Sequence, residues 1–326
     1  MLAIFILSLF VWIKHGFDIV HTAQPPDTFA FIAAFYKLFG KSYVLDLHDL
    51  SPELYYARFK GKGSAILYNI LVWLEGVSFR LADHVLSTNE SYKEVAIRRG
   101  LVEEHRITIV RNGPDLEELR SSGVDQAITK NGKPIIGYVG VTGVQDGVDN
   151  LLRAIGYMVH NLGRNDFSCV IVGDGSAMPQ LQSLCAQLGL DQYVVFAGWI
   201  SQLEQITSYL DSMDICVAPE PSDPYNDRST AVKIMEYMAA GKPIVASDLP
   251  EHKFTAREAA IYARPNDEMD LARKIITLMD DPVRRAAMSQ KGLDRINTEL
   301  SWPYQAKKLL QAYSSLLQID STTLSA

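Results

Sequence analysis

The sequence predicts an α/β protein built from two Rossmann-like, doubly wound parallel-sheet domains. Three observations predict it. Short apolar runs alternate with amphipathic stretches along nearly the whole chain, the pattern of βαβ units. The chain has 326 residues, of which 48% are hydrophobic, enough for two domains with sizeable cores. The alternation breaks once, in the polar segment 117–133, EELRSSGVDQAITKNGK, where an interdomain linker fits. The boundaries expected are a first domain over 1–120, a linker over 121–133, a second domain over 134–300 and a closing helical segment over 301–326.

The first half opens on an apolar run, MLAIFILSLFVWI at residues 1–13. It is shorter than the roughly 20 residues of a spanning helix. It also lacks the cationic start and small-residue cleavage site of a signal peptide. A buried helix is expected, with packing partners that precede it, so that the chain begins partway into a domain. A membrane-dipping segment is the alternative. Residues 17–23 then form a strand. Pro25, Pro26 and Asp27 turn the chain into a helix that ends before Gly40. Residues 42–49, SYVLDLHD, are the next strand. Ser51, Pro52 and Glu53 stand in the order of N-cap, first-turn proline and first-turn acid. A long helix over 64–81, a strand over 84–89, a helix over 90–99 and a strand over 106–112 follow.

The second half repeats the rhythm. Strands are expected at 134–141, 167–172, 193–198, 215–219 and 260–263, with helices at 147–162, 178–188 and 203–210. The tail over 269–318 reads as helical, jointed at Trp302 and Pro303.

Composition removes several classes of function. Net charge is −7 with no long basic run, which disfavours nucleic-acid binding. The three cysteines have no metal-ligand spacing, and Cys169 and Cys216 lie in apolar strand-like runs. They read as buried thiols in a reducing compartment. No Gly-x-Ser-x-Gly elbow and no Asp-x-Asp pair occurs, so metal-independent chemistry is expected.

The stretch 226–249, NDRSTAVKIMEYMAAGKPIVASDL, reads as a capped helix, a sharp stop and a strand. Asp227, Ser229 and Thr230 are all N-cap types. Gly241 and Pro243 end the helix. Lys233 lies in the first turns, where the helix dipole disfavours a cation by about 0.3–1 kcal/mol. An anion bound at the helix N-terminus reverses that sign, and Glu236, one turn on, can accept hydrogen bonds from sugar hydroxyls. An ordinary solvated Lys–Glu pair accounts for the same spacing, and is commoner.

Polar and glycine turns follow several strands: Gly140-Val141-Thr142-Gly143, Gly173-Asp174-Gly175, Gly198-Trp199 and residues 219–228. Strand carboxyl ends of an open sheet face one crevice, so these turns point to one binding site. GVTGVQDG fits neither the P-loop nor the dinucleotide fingerprint. His48 ends a strand and shares a side with Asp46. It can orient a hydroxyl, accept its hydrogen bond or act as a base, or be purely structural. His21, at another strand end, reads as structural.

Four blocks in order, LDLHDLSPEL, VRNGPD, VGDG with a later VVFAGW, and STAVKIMEYMAAGKPIVASDL, resemble glycosyltransferase family 4 of the GT-B fold. The branch they resemble makes bacterial surface polysaccharides. The resemblance implies a retaining, hexosyl-type glycosyltransferase (EC 2.4) using a UDP- or GDP-linked sugar as co-substrate, without a further cofactor. The implied acceptor is a saccharide or a polyprenyl-linked saccharide. The implied place is the cytoplasm, with peripheral contact at the inner face of the cytoplasmic membrane. Glu236 matches the glutamate that holds the nucleotide ribose. Ser229 and Thr230 match the helix start that holds the diphosphate, and Lys233 a lysine usual in this branch. Gly173, Trp199 and Ile200 lie where the base is held, Gly143 lies in the first turn, and His48 matches the active-site histidine.

Three departures accompany the match. Arg228 stands where relatives often carry an acid. Val141 and Asp146 stand near places usually held by an arginine and a lysine, which leaves diphosphate neutralisation to Lys233, Arg228 or backbone amides. The family's first strand–helix units, with their glycine-rich loop, have no counterpart, so the first domain is expected to be incomplete. Two rival readings remain at this level: a nucleotide-sugar epimerase on the same scaffold, and a truncated, non-catalytic nucleotide-binding fragment.

Overall fold

A computed structural model describes residues 1–59, 61–117 and 132–318. The linker expected over 121–133 lies almost wholly outside the described residues. The chain divides into two compact units, Met1–Asn112 with Pro303–Ala326, and Gly113–Trp302. In chain order the first unit contains α1 (Leu2–His15), β1 (Ile19–Gln24), α2 (Ala30–Lys37), β2 (Ser42–Leu47), α3 (Ser51–Arg58), α4 (Ala65–Leu81), β3 (His84–Ser87), α5 (Glu90–Gly100) and β4 (Ile107–Ile109). The second contains β5 (Ile135–Val139), α6 (Val148–His160), β6 (Ser168–Val172), α7 (Met178–Gln187), β7 (Val194–Gly198), α8 (Leu203–Ser212), β8 (Ile215–Ala218), α9 (Val232–Ala239), β9 (Ile244–Ser247), α10 (Pro250–Ala256), β10 (Ala260–Ala263), α11 (Glu268–Met279) and α12 (Pro282–Arg295). All but the first residue of α13 (Trp302–Leu317) belongs to the first unit.

The first unit is a four-stranded parallel sheet in the order β1-β2-β3-β4. The two-residue period of β2 sorts its side chains. Tyr43, Leu45 and Leu47 enter a core with Phe79 and Tyr92. Val44 and Leu86 face the other way and are covered by Leu309, Ala312, Tyr313 and Leu316 of α13. Both faces of the strands are therefore apolar, as buried parallel sheets require.

Helix α1 departs from expectation. It forms, but none of its residues is buried. Phe5 and Trp12 pack edge-on against Phe35, Trp12 also meets Tyr36 and Phe39, and Ser8 Oγ lies 2.7 Å from the Tyr36 hydroxyl. That stripe uses one side of the helix only. Leu2, Leu7, Phe10 and Ile13 remain 72, 64, 61 and 81% exposed. Among the described residues, no helix is long and apolar enough to cross a membrane. Ser51 also departs. Leu50, not Ser51, is the N-cap of α3, and the Ser51 hydroxyl instead donates to the buried Asp27 carboxylate.

The second unit is a six-stranded parallel sheet in the order β10-β9-β8-β5-β6-β7. From β5 the chain winds outward through β6 and β7. It then returns to β8, on the other side of β5, and winds outward through β9 and β10. The strand order thus reverses between β5 and β8, and the loops after these two strands part to leave a crevice. Leu151, Ile155 and Met158 of α6 pack with Leu271 and Ile275 of α11 against Ile136 and Ile171. Ile234, Met235 and Met238 of α9 cover the opposite face with Cys216 and Ile244. All three cysteines are free and buried. Both units are α/β with parallel sheets, the fold class read from the sequence.

Candidate active site

The crevice of the second unit is a cleft of about 270 Å³ at the carboxyl ends of β5 and β8. Its walls are Val139 to Val141 on one side, Glu220 on the other, and the residues that lead into α9, with Gln145, Asp146 and His252. Of the residues expected from the sequence, Ser229, Thr230, Lys233 and Glu236 line it.

The helix begins later than expected. Ala231 is the N-cap of α9, and it makes no side-chain cap. Asp223 is the reason. Its Oδ1 accepts the N–H groups of Tyr225 and Asn226, at 2.8 Å each, and so nucleates a separate turn. Asp227 is drawn into that turn, where its Oδ2 faces the Ser222 hydroxyl at 3.2 Å. Asn226 closes the loop by donating to the Gln145 carbonyl at 2.9 Å.

Lys233 is neither solvated nor paired with Glu236. Its side chain is 10% exposed. Nζ lies 2.6 Å from Glu220 Oε1, 3.3 Å from Asp146 Oδ1 and 3.0 Å from the Tyr138 hydroxyl. Burial alone depresses an ammonium pKa, but Glu220, Tyr138 and Asp146 outweigh it and hold Lys233 well above its ordinary value. Burial raises the Glu220 carboxyl, yet Lys233 and then His252 bring it below its ordinary value. Asp146 keeps a raised pKa, because burial and the Glu220 charge outweigh Lys233. Glu236 is also raised by burial, with Lys233 offsetting part.

Glu220 is the residue the sequence reading missed. It is 5% exposed and its Oε2 has no hydrogen-bond partner among the described residues. His252 Nε2 stands 3.7 Å from that oxygen, while His252 Nδ1 is bonded to the Ser247 carbonyl at 3.0 Å. The available signal was an acid directly after the apolar run ICVAP, at a strand end.

Other expected residues sit elsewhere. Arg228 donates to the Pro224 carbonyl at 2.6 Å and is not part of the cleft wall. Gly143 donates its N–H to Asp146 Oδ2 at 2.9 Å, which shapes the turn beneath Lys233. Gly173 has φ +127°, and a Cβ there would lie 1.9 Å from the Gly140 carbonyl oxygen, so it lets two loops touch. Trp199 is 70% exposed just after β7, and Ile200 packs against the core. Neither lines the cleft.

In the first unit, His48 follows β2. Its Nε2 lies 3.0 Å from Asp46 Oδ2, and His21 Nε2 lies 3.1 Å from the same oxygen. His21 Nδ1 is bonded to the Tyr313 hydroxyl. The Asn112 side-chain amide lies 3.4 Å from His48 Nδ1. His21, read as structural, therefore shares the Asp46 carboxylate with His48. Burial pushes Asp46 up, but the two histidine hydrogen bonds win and hold it at about 2. The Asp46 bond raises His48 above its ordinary value against a smaller effect of burial.

The signs of the pH effects follow. His48 contributes stability below pH ~6.5, its unfolded value, and loses it as pH rises through the higher folded value. Asp46 contributes above pH ~3.9 and loses that as pH falls through about 2. Asp46→Asn is expected to lower the His48 pKa, as read from the imidazole proton shifts in an NMR titration. An unchanged titration overturns the assignment.

Among the described residues, no group of three or more His, Cys, Asp or Glu is placed to hold a metal ion. Two family models match the chain: Glycosyltransferase Family 4 over residues 1–118 and Glycosyl transferases group 1 over residues 133–281. An uncharacterized glycosyltransferase of Methanocaldococcus jannaschii is 24% identical over 262 residues, covering 72% of this chain and 63% of that one. The chain thus spans under two thirds of that relative's length. A UDP-Gal:alpha-D-GlcNAc-diphosphoundecaprenol alpha-1,3-galactosyltransferase of Escherichia coli is 24% identical over 281 residues, covering 83% of this chain and 68% of that one. Sucrose-phosphate synthase from Thermosynechococcus elongatus has a similar fold, with a TM-score of 0.80 at 19% identity, over 97% of this chain and 77% of that one. Two parallel sheets of this topology, matched in turn by the family's two domains, place the chain in glycosyltransferase family 4, with the GT-B fold.

Proposed function

We propose that the chain transfers a sugar, with retention, from a nucleotide-diphosphate sugar to a saccharide or lipid-linked saccharide acceptor in bacterial cell-envelope glycan synthesis. The observation that carries this reading is the cleft at the switch point. A helix N-terminus, a buried lysine and an unpaired glutamate share one wall there. The Glu236 side chain lines the cleft with no hydrogen bond or ion pair among the described residues, so its carboxylate is available to two ribose hydroxyls. The N-terminus of α9, with Ala231 as its N-cap, is offered to the diphosphate. The E. coli relative is named for a UDP-linked sugar and a diphosphoundecaprenol-linked acceptor, which supports both substrate classes.

In the reaction, the bond from the anomeric carbon to the diphosphate oxygen breaks. A bond to the acceptor oxygen forms on the same face. Positive charge develops on the sugar ring and negative charge on the leaving diphosphate, whose oxygen takes the acceptor proton. Fixed amides and Lys233 stabilise that leaving group without reorganising. His48, held by Asp46, orients the acceptor hydroxyl. The exposed apolar residues of α1 support contact with the inner face of a cytoplasmic membrane.

Calorimetry with UDP, GDP and ADP tests the donor half. One nucleoside diphosphate is expected to bind, and Glu236→Ala to weaken it about 10–100-fold, the worth of hydrogen bonds to a charged group. Equal affinity in the variant sinks the ribose assignment.

A further inference from the structure

The cleft holds a charge balance that a diphosphate does not fit as it stands. The cation is Lys233. Three carboxylates, Glu220, Asp146 and Glu236, line the same small space. Tyr138 of β5, Tyr237 of α9, His252 of α10 and Tyr225 of the loop before α9 are further titratable groups around them. The three protons of the Lys233 ammonium are already taken by Glu220, Tyr138 and Asp146. An incoming diphosphate brings further negative charge, so one carboxylate has to yield its place or its charge.

The geometry singles out which one. Glu220 is the closer partner of Lys233, at 2.6 Å against 3.3 Å for Asp146. Glu220 also has His252 behind it, whereas among the described residues Asp146 Oδ1 is bonded by Lys233 alone. Asp146 sits in a short turn between Gly143 and Gly147, on the loop that follows β5. Its Oδ2 is held independently by the Gly143 N–H.

We propose that Asp146 is a stand-in anion: it holds Lys233 until the donor arrives and takes up one proton from solvent when the donor diphosphate takes its place. The proposal rests on the donor-site reading above. Burial already raises Asp146 toward the neutral form, while Glu220 stays ionised and keeps Lys233 charged and in position. Lys233 then changes partner rather than being created as a free cation. The exchange makes nucleotide affinity rise as pH falls toward the Asp146 pKa. It also adds a cost against ligands too weakly charged to displace a carboxylate.

Calorimetric titration of the full chain with whichever of UDP, GDP and ADP binds, in two buffers of different protonation enthalpy at one pH, reads the proton directly. Wild type is expected to take up close to one proton per nucleotide. Asp146→Asn keeps an oxygen for the Gly143 N–H but no exchangeable charge. It is expected to take up none, to bind about tenfold more tightly at pH 8 and to lose most of the pH dependence. Its far-ultraviolet circular dichroism and melting curve establish that it is folded, and Asp146→Ser serves as a second neutral variant. Nucleotide binding without proton uptake overturns the exchange. So does equal uptake in wild type and Asp146→Asn, which places the proton on another group, Glu236, His252 or the nucleotide's terminal phosphate. Absence of binding by UDP, GDP and ADP alike overturns the donor-site reading itself, and the exchange with it.

Discussion

Lys233→Met is expected to destabilise the Gly113–Trp302 unit by about 3–5 kcal/mol, the cost of leaving buried charges without their partner. The methionine fills a similar volume, so the loss reports charge rather than packing. It leaves Glu220, 5% exposed, facing Asp146 with no ammonium between them. Two carboxylates in that setting shift to higher pKa values. A folded-state pKa raised above the unfolded one costs stability as pH rises, so the variant's deficit is expected to be larger at pH 8 than at pH 5. Thermal melts at the two pH values, followed by a probe in the second unit, check this. A melting point like that of the wild type, or a deficit that shrinks with rising pH, contradicts the arrangement. Nucleotide binding is expected to be lost as well.

Gly173→Ala is the second large effect. The backbone there sits at φ +127°, a region that costs a side chain about 1–3 kcal/mol. The added methyl also has nowhere to go, since its position lies 1.9 Å from the Gly140 carbonyl oxygen. Gly140 is bonded through its N–H to the Val172 carbonyl at 3.0 Å, and Thr142 donates to the Asp174 carbonyl at 3.1 Å. The loops after β5 and β6 are thus laced together, and separating them moves a wall of the cleft. Loss of several kcal/mol and of nucleotide binding is expected. Gly189→Ala is the control, with φ +64° and nothing within 4 Å. It is expected to cost only about 1 kcal/mol from backbone strain. Equal melting points for the two variants rule out the close approach as the reason for glycine at 173.

The strands were legible because a strand buried on both faces reads as a short apolar run, as in SYVL, SCVIV and ICVA. The turns after them were legible because tight loops need glycine. The start of α9 was not. Several good capping types lie between 223 and 230, and local chemistry does not rank them. Asp223 wins by closing an earlier turn, which delays the helix to Val232. The neighbours of α1 were not legible either, because an apolar run states what it prefers to bury and not what stands beside it. The cluster of His21, Asp46 and His48 needed the pairing of β1 with β2, which sets Ala23 against Asp46 and brings both histidines to one carboxylate.

The chain's own pattern determined two parallel α/β sheets, the loops at their strand ends and the helix that carries Lys233 and Glu236. Period and turn chemistry act over a few residues, and those are written locally. The electrostatic partners of Lys233 were decided only by the fold. Asp146 and Glu220 lie 87 and 13 residues away in sequence, on the loops after β5 and β8. They meet because the strand order reverses between those two strands. The lysine's charge state, its burial and the company it keeps all follow from that crossing, which no spacing within the helix encodes.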